Sequence, residues 1–282
     1  MKTILLPTDF SKNSINAIDY AMELFKDEVC DFYILNVQKV SAFISDDMMV
    51  VSASATIYNT IIDAAKKSIS NVKAKIEKSY KNDKHSFHSI VDYDNIIDSI
   101  NQACKVYKVD LIVMGTKGAS GLDKVLFGSN TVHVIQRCTV PVLAIPNNCK
   151  FATIDKIAFI PNNLPLFDVS DLKILRDIML ISNSKLNILH INGENHLSQN
   201  IKVNNDFFST YFKEARQEYI DSNDSDIFKN THKYLLENSI KLLAMTSKKH
   251  SFFERLFTTH TVESFAFKID IPFLVIEKIE FK

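Results

Sequence analysis

The sequence predicts an α/β fold built twice, as two tandem doubly wound parallel-sheet domains. Three observations carry this. Short, continuous apolar runs alternate with stretches of helical periodicity, the pattern of parallel strands buried on both faces. The chain of 282 residues repeats itself at domain length, too long a period for a solenoid unit. Four of its five glycines (Gly115, Gly118, Gly121 and Gly128) lie within 14 residues, directly after an apolar run.

The elements follow in order. TILLPT (3–8) reads as the first strand, and Ile15, Ile18, Met22 and Phe25 then fall on one helical face. DFYILNV (31–37) is the second strand, and Ile57, Ile61, Ile69, Val72 and Ile76 mark the second helix. A weaker strand covers about 86–92, followed by a helix carrying Ile97, Ile100, Cys104 and Tyr107. DLIVMGT (110–116) and VPVLAI (140–145) are strands flanking a short helix from about residue 129. In such a fold, ligands sit beyond the carboxyl ends of the strands.

The repeat is direct. Residues 111–145 align without a gap on 242–276, matching Met114 to Met245, Lys117 to Lys248 and Pro141 to Pro272. Residues 2–37 align on 156–191, again without a gap, matching Pro7 to Pro161. The domains expected are 1–147 and 155–282, with a linker near PNNCKFATID (146–155). The middle of the second half is shorter, and NDFFSTYFKEARQEYIDSND is expected to hold one helix and one weak strand.

Bulk composition narrows the function. With 46% hydrophobic and 23% charged residues, the chain is an ordinary globular protein. Equal numbers of basic and acidic residues, 33 each, argue against a nucleic-acid groove as the main business, though a local basic patch is compatible. Cys30, Cys104, Cys138 and Cys149 form no CxxC pair, so neither a disulfide framework nor a structural zinc is expected. No stretch reaches about 18 apolar residues, and the N-terminal run is cut by Pro7 and Asp9, so neither a membrane span nor a secretion signal is expected. A cytoplasmic protein with reduced thiols is the expectation.

Average usage would give about 20 glycines in such a chain, so their concentration marks a special loop. Glycine is needed where φ is positive or where something approaches the backbone closely. Strand, glycine loop and helix N-terminus together make a phosphate cradle. Glycines serving structural turns would leave the same trace. The loop is not a Walker A sequence, since no glycine precedes Lys-Ser or Lys-Thr. A dinucleotide fingerprint belongs in the first strand-to-helix turn, which here is PTDFSKNS. Asp9 or Ser11 is placed to cap the first helix, a role compatible with ligand contact. Lys117 either contacts phosphate or is a solvated loop lysine.

The spacing G-x2-G-x9-G-S (Gly115, Gly118, Gly128, Ser129) resembles the nucleotide-binding motif of the universal stress protein family. KTILLPTDFS, YILNV and CTVPVLAIP are similar to that family's first, second and final strands in the same order. The resemblance covers the first half and, more weakly, the second. It implies a Rossmann-like, adenine nucleotide alpha hydrolase-like fold and a loop that wraps the phosphates of ATP, with or without Mg²⁺. By the same resemblance Asp9 lies near the nucleoside and Val37 near the adenine. Pro7, Thr8, Met114, Lys117 and Asn130 complete the candidate set beside the motif. The resemblance also implies that the final strands of the two halves pair about a pseudo-twofold axis. A homodimer is a further option.

In the aligned repeat, Gly115 becomes Thr246, Gly118 Lys249, Gly121 Phe252, Gly128 Thr259 and Ser129 His260, while Asp9 becomes Asn163. The second half is therefore expected to have lost ATP binding. The function expected is an ATP-binding stress-response module acting through its first domain. No nucleophile, general base or metal cluster stands out, so at most slow ATP hydrolysis is expected. The rival is an interaction or scaffold protein that binds no nucleotide. His85 and His88 would point to opposite faces of a strand as surface residues. His190, at the end of a strand, is expected to be buried and hydrogen-bonded.

Overall fold

The computed structural model describes residues 1–38, 51–93, 95–117, 127–147, 149–161, 168–192, 206–221, 227–247 and 270–277. Its first half comprises β1 (Lys2–Pro7), α1 (Lys12–Leu24), β2 (Cys30–Val37), α2 (Val51–Ser79), β3 (His85–Asp92), α3 (Ile96–Tyr107), β4 (Leu111–Gly115), α4 (Ser129–Arg137) and β5 (Val142–Ile145). The second comprises β6 (Lys156–Ile160), α5 (Lys173–Ser182), β7 (Lys185–Asn192), α6 (206–211), β8 (Arg216–Asp221), α7 (Ile227–Glu237), β9 (Leu242–Ser247) and β10 (Phe273–Glu277). The helix and weak strand expected between 205 and 224 are α6 and β8.

All ten strands form one sheet, in the order β3-β2-β1-β4-β5-β10-β9-β6-β7-β8. Every pairing is parallel except β5 with β10, where Leu274 faces Leu143, Phe273 faces Ala144 and Val275 faces Val142. Since Leu143 and Leu274 are matched in the repeat, this register is symmetric about them. The strands are apolar on both faces because helices cover both. Ile4, Leu6, Phe32 and Ile34 pack with α1 and α2, and the same layer continues through Ile157, Phe159 and α5. Leu5, Ile112, Met114 and Val142 face the opposite layer of α3, α4 and α7. Phe25, Phe32, Phe159, Phe208 and Phe273 are each under 2% exposed. Burial of each such ring is worth about 1.5–3 kcal/mol.

Two expectations shift. The register pairs Ile4 with Leu111 and Ile157 with Leu242, so β1 matches β6 at Ile4–Ile157. The gapless alignment of the chain starts is therefore one residue out at β6. Pro7 corresponds to Ile160, and Asp9 to Asn162 rather than Asn163. The reason is that a one-residue slip turns every side chain to the other face, and Ile157 belongs with Ile4 in one layer. In α2, Ala65, Ile69 and Ile76 are buried, but Ile61 is 42% exposed. A helix of 29 residues runs about 44 Å, longer than the eight-residue strands β2 and β3 beneath it. Its early turns overshoot the sheet.

Candidate functional site

β1 and β4 are neighbours in the middle of the first half, and the chain leaves them in opposite directions. After β1 it enters α1 on one face; after β4 it runs toward α4 on the other. This divergence opens a crevice at the carboxyl ends of the two strands. Pro7, Thr8 and Asp9 form one lip, Met114 to Lys117 the other, and the first turn of α4 closes one side.

The β1 lip is held by local hydrogen bonds. Thr8 is buried, its Oγ1 lies 2.9 Å from Ser14 Oγ, and it accepts from Phe10 N at 3.0 Å. Asn36 Nδ2 donates to Thr8 O at 2.7 Å, which ties the lip to β2 just before Val37. Ser11 caps α1, its Oγ accepting from Ser14 N at 3.2 Å. Asp9 is exposed and its Oδ1 accepts from Ser11 N at 3.1 Å, so it braces the turn while Ser11 does the capping. Phe10 between them has φ of 62°, a left-handed conformation that costs a non-glycine residue about 1–2 kcal/mol.

Gly115 and Gly128 are glycine for reasons other than positive φ. Gly115 ends β4, where a Cβ would meet Asn13 Nδ2 at 2.6 Å and the Asn13 backbone carbon at 3.1 Å. Close approach of α1 is what demands glycine there. Gly128 is extended, with φ −72° and ψ 156°, and occupies the cap position of α4. Its N–H donates to Thr116 O at 2.6 Å, which ties the start of α4 to the end of β4. Thr131 Oγ1 donates to Gly115 O at 3.0 Å and fixes α4 to the strand end. Gly128 gives α4 no side-chain cap, so Ser129 and Asn130, both exposed, lie in a first turn without one. Such a terminus is a ready receiver for an anion.

Sequence reasoning missed Asn13. It is 5% exposed, its Nδ2 donates to Lys117 O at 2.7 Å, and its Oδ1 has no partner among the described residues. Its one signal was its place four residues after Asp9, in the first turn of α1. Gly118 and Gly121 lie outside the described residues, as do Asn163, Lys249, Phe252, Thr259 and His260 in the second half. Thr246, which replaces Gly115 there, is buried at the end of β9.

The remaining candidates settle as packing residues. His85 is half-buried rather than a surface residue, its ring edge-on to Phe32 at 4.9 Å. His88 points to the other face, stacked on Tyr33 at 4.6 Å and exposed. His190 is half-buried rather than buried, because β7 adjoins the edge strand β8. Its Nε2 lies 3.2 Å from Gln217 Oε1 and its ring stacks on Tyr219. Burial pushes the thiols of Cys30 and Cys149 up to about 11 and that of Cys104 up to about 12. None is poised as a thiolate. Among the described residues no cluster of three His, Cys, Asp or Glu side chains is placed to hold a metal, and no helix is long and apolar enough to cross a membrane.

The model of the universal stress protein family matches residues 1–146, just over half of the 282-residue chain. The chain belongs to the universal stress protein family. A universal stress protein of Methanocaldococcus jannaschii is 28% identical over 144 residues, which span 51% of this chain and 81% of that protein. The solved structure of a universal stress protein from Archaeoglobus fulgidus DSM 4304 matches 98% of this chain and 96% of its own, with a TM-score of 0.65 and 19% identity. A functionally unknown protein from Pseudomonas aeruginosa PAO1 matches 98% of this chain and 92% of its own, with a TM-score of 0.54 and 12% identity. These two likenesses extend the fold over both halves of this universal stress protein.

Proposed function

We propose that this universal stress protein binds ATP in the crevice between β1 and β4 and works as a nucleotide-responsive regulatory module. The observation that carries the reading is the α4 terminus. The bond from Gly128 N–H to Thr116 O brings it back to the end of β4, and its cap residue, Gly128, offers no side chain to its first turn. Phosphate oxygens would be held by the amides of that turn, the Ser129 hydroxyl and the loop from Gly115 to Gly128. Asp9 would meet the sugar and Val37 the base. ATP supplies the charge that the helix end favours; the chain supplies position. The first domain (1–147) would bind alone, because Thr246 puts a branched side chain where Gly115 leaves room for α1. The second domain (155–282) would act by sharing the sheet.

The test is Gly128→Asp. An aspartate at an extended cap position satisfies α4 amides and, since glycine is itself a tolerated cap, stabilises the helix by only about 0.3 kcal/mol. The same carboxylate repels phosphate. The variant is expected to melt no lower than wild type without ligand yet lose the shift in ATP and Mg²⁺. At 100 times Kd the wild-type shift corresponds to about 2.7 kcal/mol. Equal ATP shifts in both proteins would mean that ATP is not held at the α4 terminus, whereas no nucleotide on gently purified protein and no shift at all would favour the interaction reading instead.

A further inference from the structure

In the first half, the corner where α1 ends and β2 begins is closed by the connection after α2. Asn82 Nδ2 donates to Lys26 O at 2.7 Å, and Lys84 Nζ donates to Asp27 O at 2.9 Å. The His85 Nε2 lies 3.0 Å from Phe25 O. The same corner of the second half lies between the end of α5, the start of β7 and the connection from α6 to β8. Here α6 spans residues 206–211, where α2 has 29 residues. A cleft of about 470 Å³ stands open in that corner.

Its lining combines two chemistries. Met179, Leu180, Tyr211 and Phe212 give an apolar wall, with Leu180 71% and Tyr211 51% exposed. Arg176, Lys185 and Lys213 line the same cleft, against Glu214 as its one acidic residue. All three cations are exposed, and none has a carboxylate within 4.0 Å among the described residues. Three unpaired cations over an apolar wall, in a chain of zero formal net charge, make a local surplus with a use. The cleft also lies at the amino-terminal end of β7, so it is not the second-half counterpart of the crevice between β1 and β4.

We propose that this cleft binds a small amphipathic anion. A carboxylate, phosphate or sulfonate headgroup sits among Arg176, Lys185 and Lys213, and an apolar body lies along Leu180 and Tyr211. The arginine fork suits a planar or tetrahedral oxyanion, and the volume suits a small molecule. The corner beside α6 gives the space, and the exposed cations choose what enters it.

The probe is 1-anilinonaphthalene-8-sulfonate, followed by its fluorescence on the full chain. Arg176→Glu/Lys213→Glu is expected to weaken binding at least tenfold. Lys67→Glu/Lys105→Glu, with the same charge change on the first half, is expected to leave it unchanged. Uncharged N-phenyl-1-naphthylamine is expected to bind wild type and both variants alike, which isolates the headgroup. Leu180→Asp, at an exposed position that folding does not need, is expected to weaken both dyes. Dodecanoate and 1-naphthyl phosphate are expected to displace the sulfonate, and the stronger competitor tells an acyl body from an aryl one. The ATP shift is expected to survive the Arg176/Lys213 change, which separates this site from the crevice. Equal sulfonate affinity in wild type and the Arg176/Lys213 variant, or equal loss in the Lys67/Lys105 variant, overturns the proposal.

Discussion

At the scale of single residues, Gly115 shows how one missing Cβ organises the crevice. The α1 backbone and the Asn13 amide occupy the space that a side chain at 115 would take. Asn13 cannot swing away freely, since it is buried and bonded to Lys117 O. Gly115→Ala is therefore expected to destabilise by about 1–3 kcal/mol through overpacking. Denaturant unfolding measures this, and the double change Gly115→Ala/Asn13→Ala should cost less than the sum of the two single changes. An unchanged midpoint in Gly115→Ala would mean that close approach is not why glycine stands there. Positive φ does not explain the two glycines of the cluster that are described. A sequence shows that glycine is present; whether it is there for backbone angle or for a neighbour depends on a helix 100 residues away.

At the scale of elements, the strands were legible because burial on both faces leaves unbroken apolar runs. β1, β2, β4 and β5 all fall where LIVM-type runs predict them. The helices were legible in their central turns, where a buried stripe must recur. They were less so at their ends, as Ile61 shows, because periodicity cannot tell how far a helix outruns its sheet. The one-residue slip at β6 has a similar origin. Two prolines made the gapless match attractive, whereas only pairing fixes which face each residue takes. α4 is the element on which the crevice depends, and its anchor is the Thr131 hydroxyl on Gly115 O. Thr131 is 3% exposed, so Thr131→Val keeps the shape and leaves a buried carbonyl without that donor. The expected cost is about 1–3 kcal/mol in denaturant unfolding. ATP affinity should fall with it, because the α4 terminus loses its fixed position. Full stability and full affinity in Thr131→Val would show that α4 is held by its apolar side alone.

At the scale of the whole molecule, the two halves share a sheet and are joined by charge as well. Lys2 in β1 lies 3.2 Å from Asp177 in α5 and 3.6 Å from Glu28, while Lys173 in α5 lies 3.6 Å from Asp110 beside β4. Burial works to lower the Lys2 pKa, but the hydrogen bond and charge of Asp177, with Glu28, outweigh it and leave it raised above 10.5. A raised lysine contributes stability that is present below its unfolded pKa and lost as pH climbs through the folded one. The junction should therefore hold through neutral pH and weaken only above about pH 10.5. Its apolar part is the antiparallel seam, where Leu143 and Leu274 are both fully buried. Truncating either leucine to alanine should cost about 2–5 kcal/mol. If the seam makes one folding unit, that cost falls on both halves. The chain has no tryptophan, which makes the measurement clean. Tyr107→Trp reports on the first half and Tyr219→Trp on the second, both from exposed positions. In each background the two reporters are expected to give coincident denaturant midpoints, and Leu143→Ala should lower them together. A second-half midpoint that stays put in Leu143→Ala would show two independent domains that only touch, and the second half could then not steady the crevice of the first.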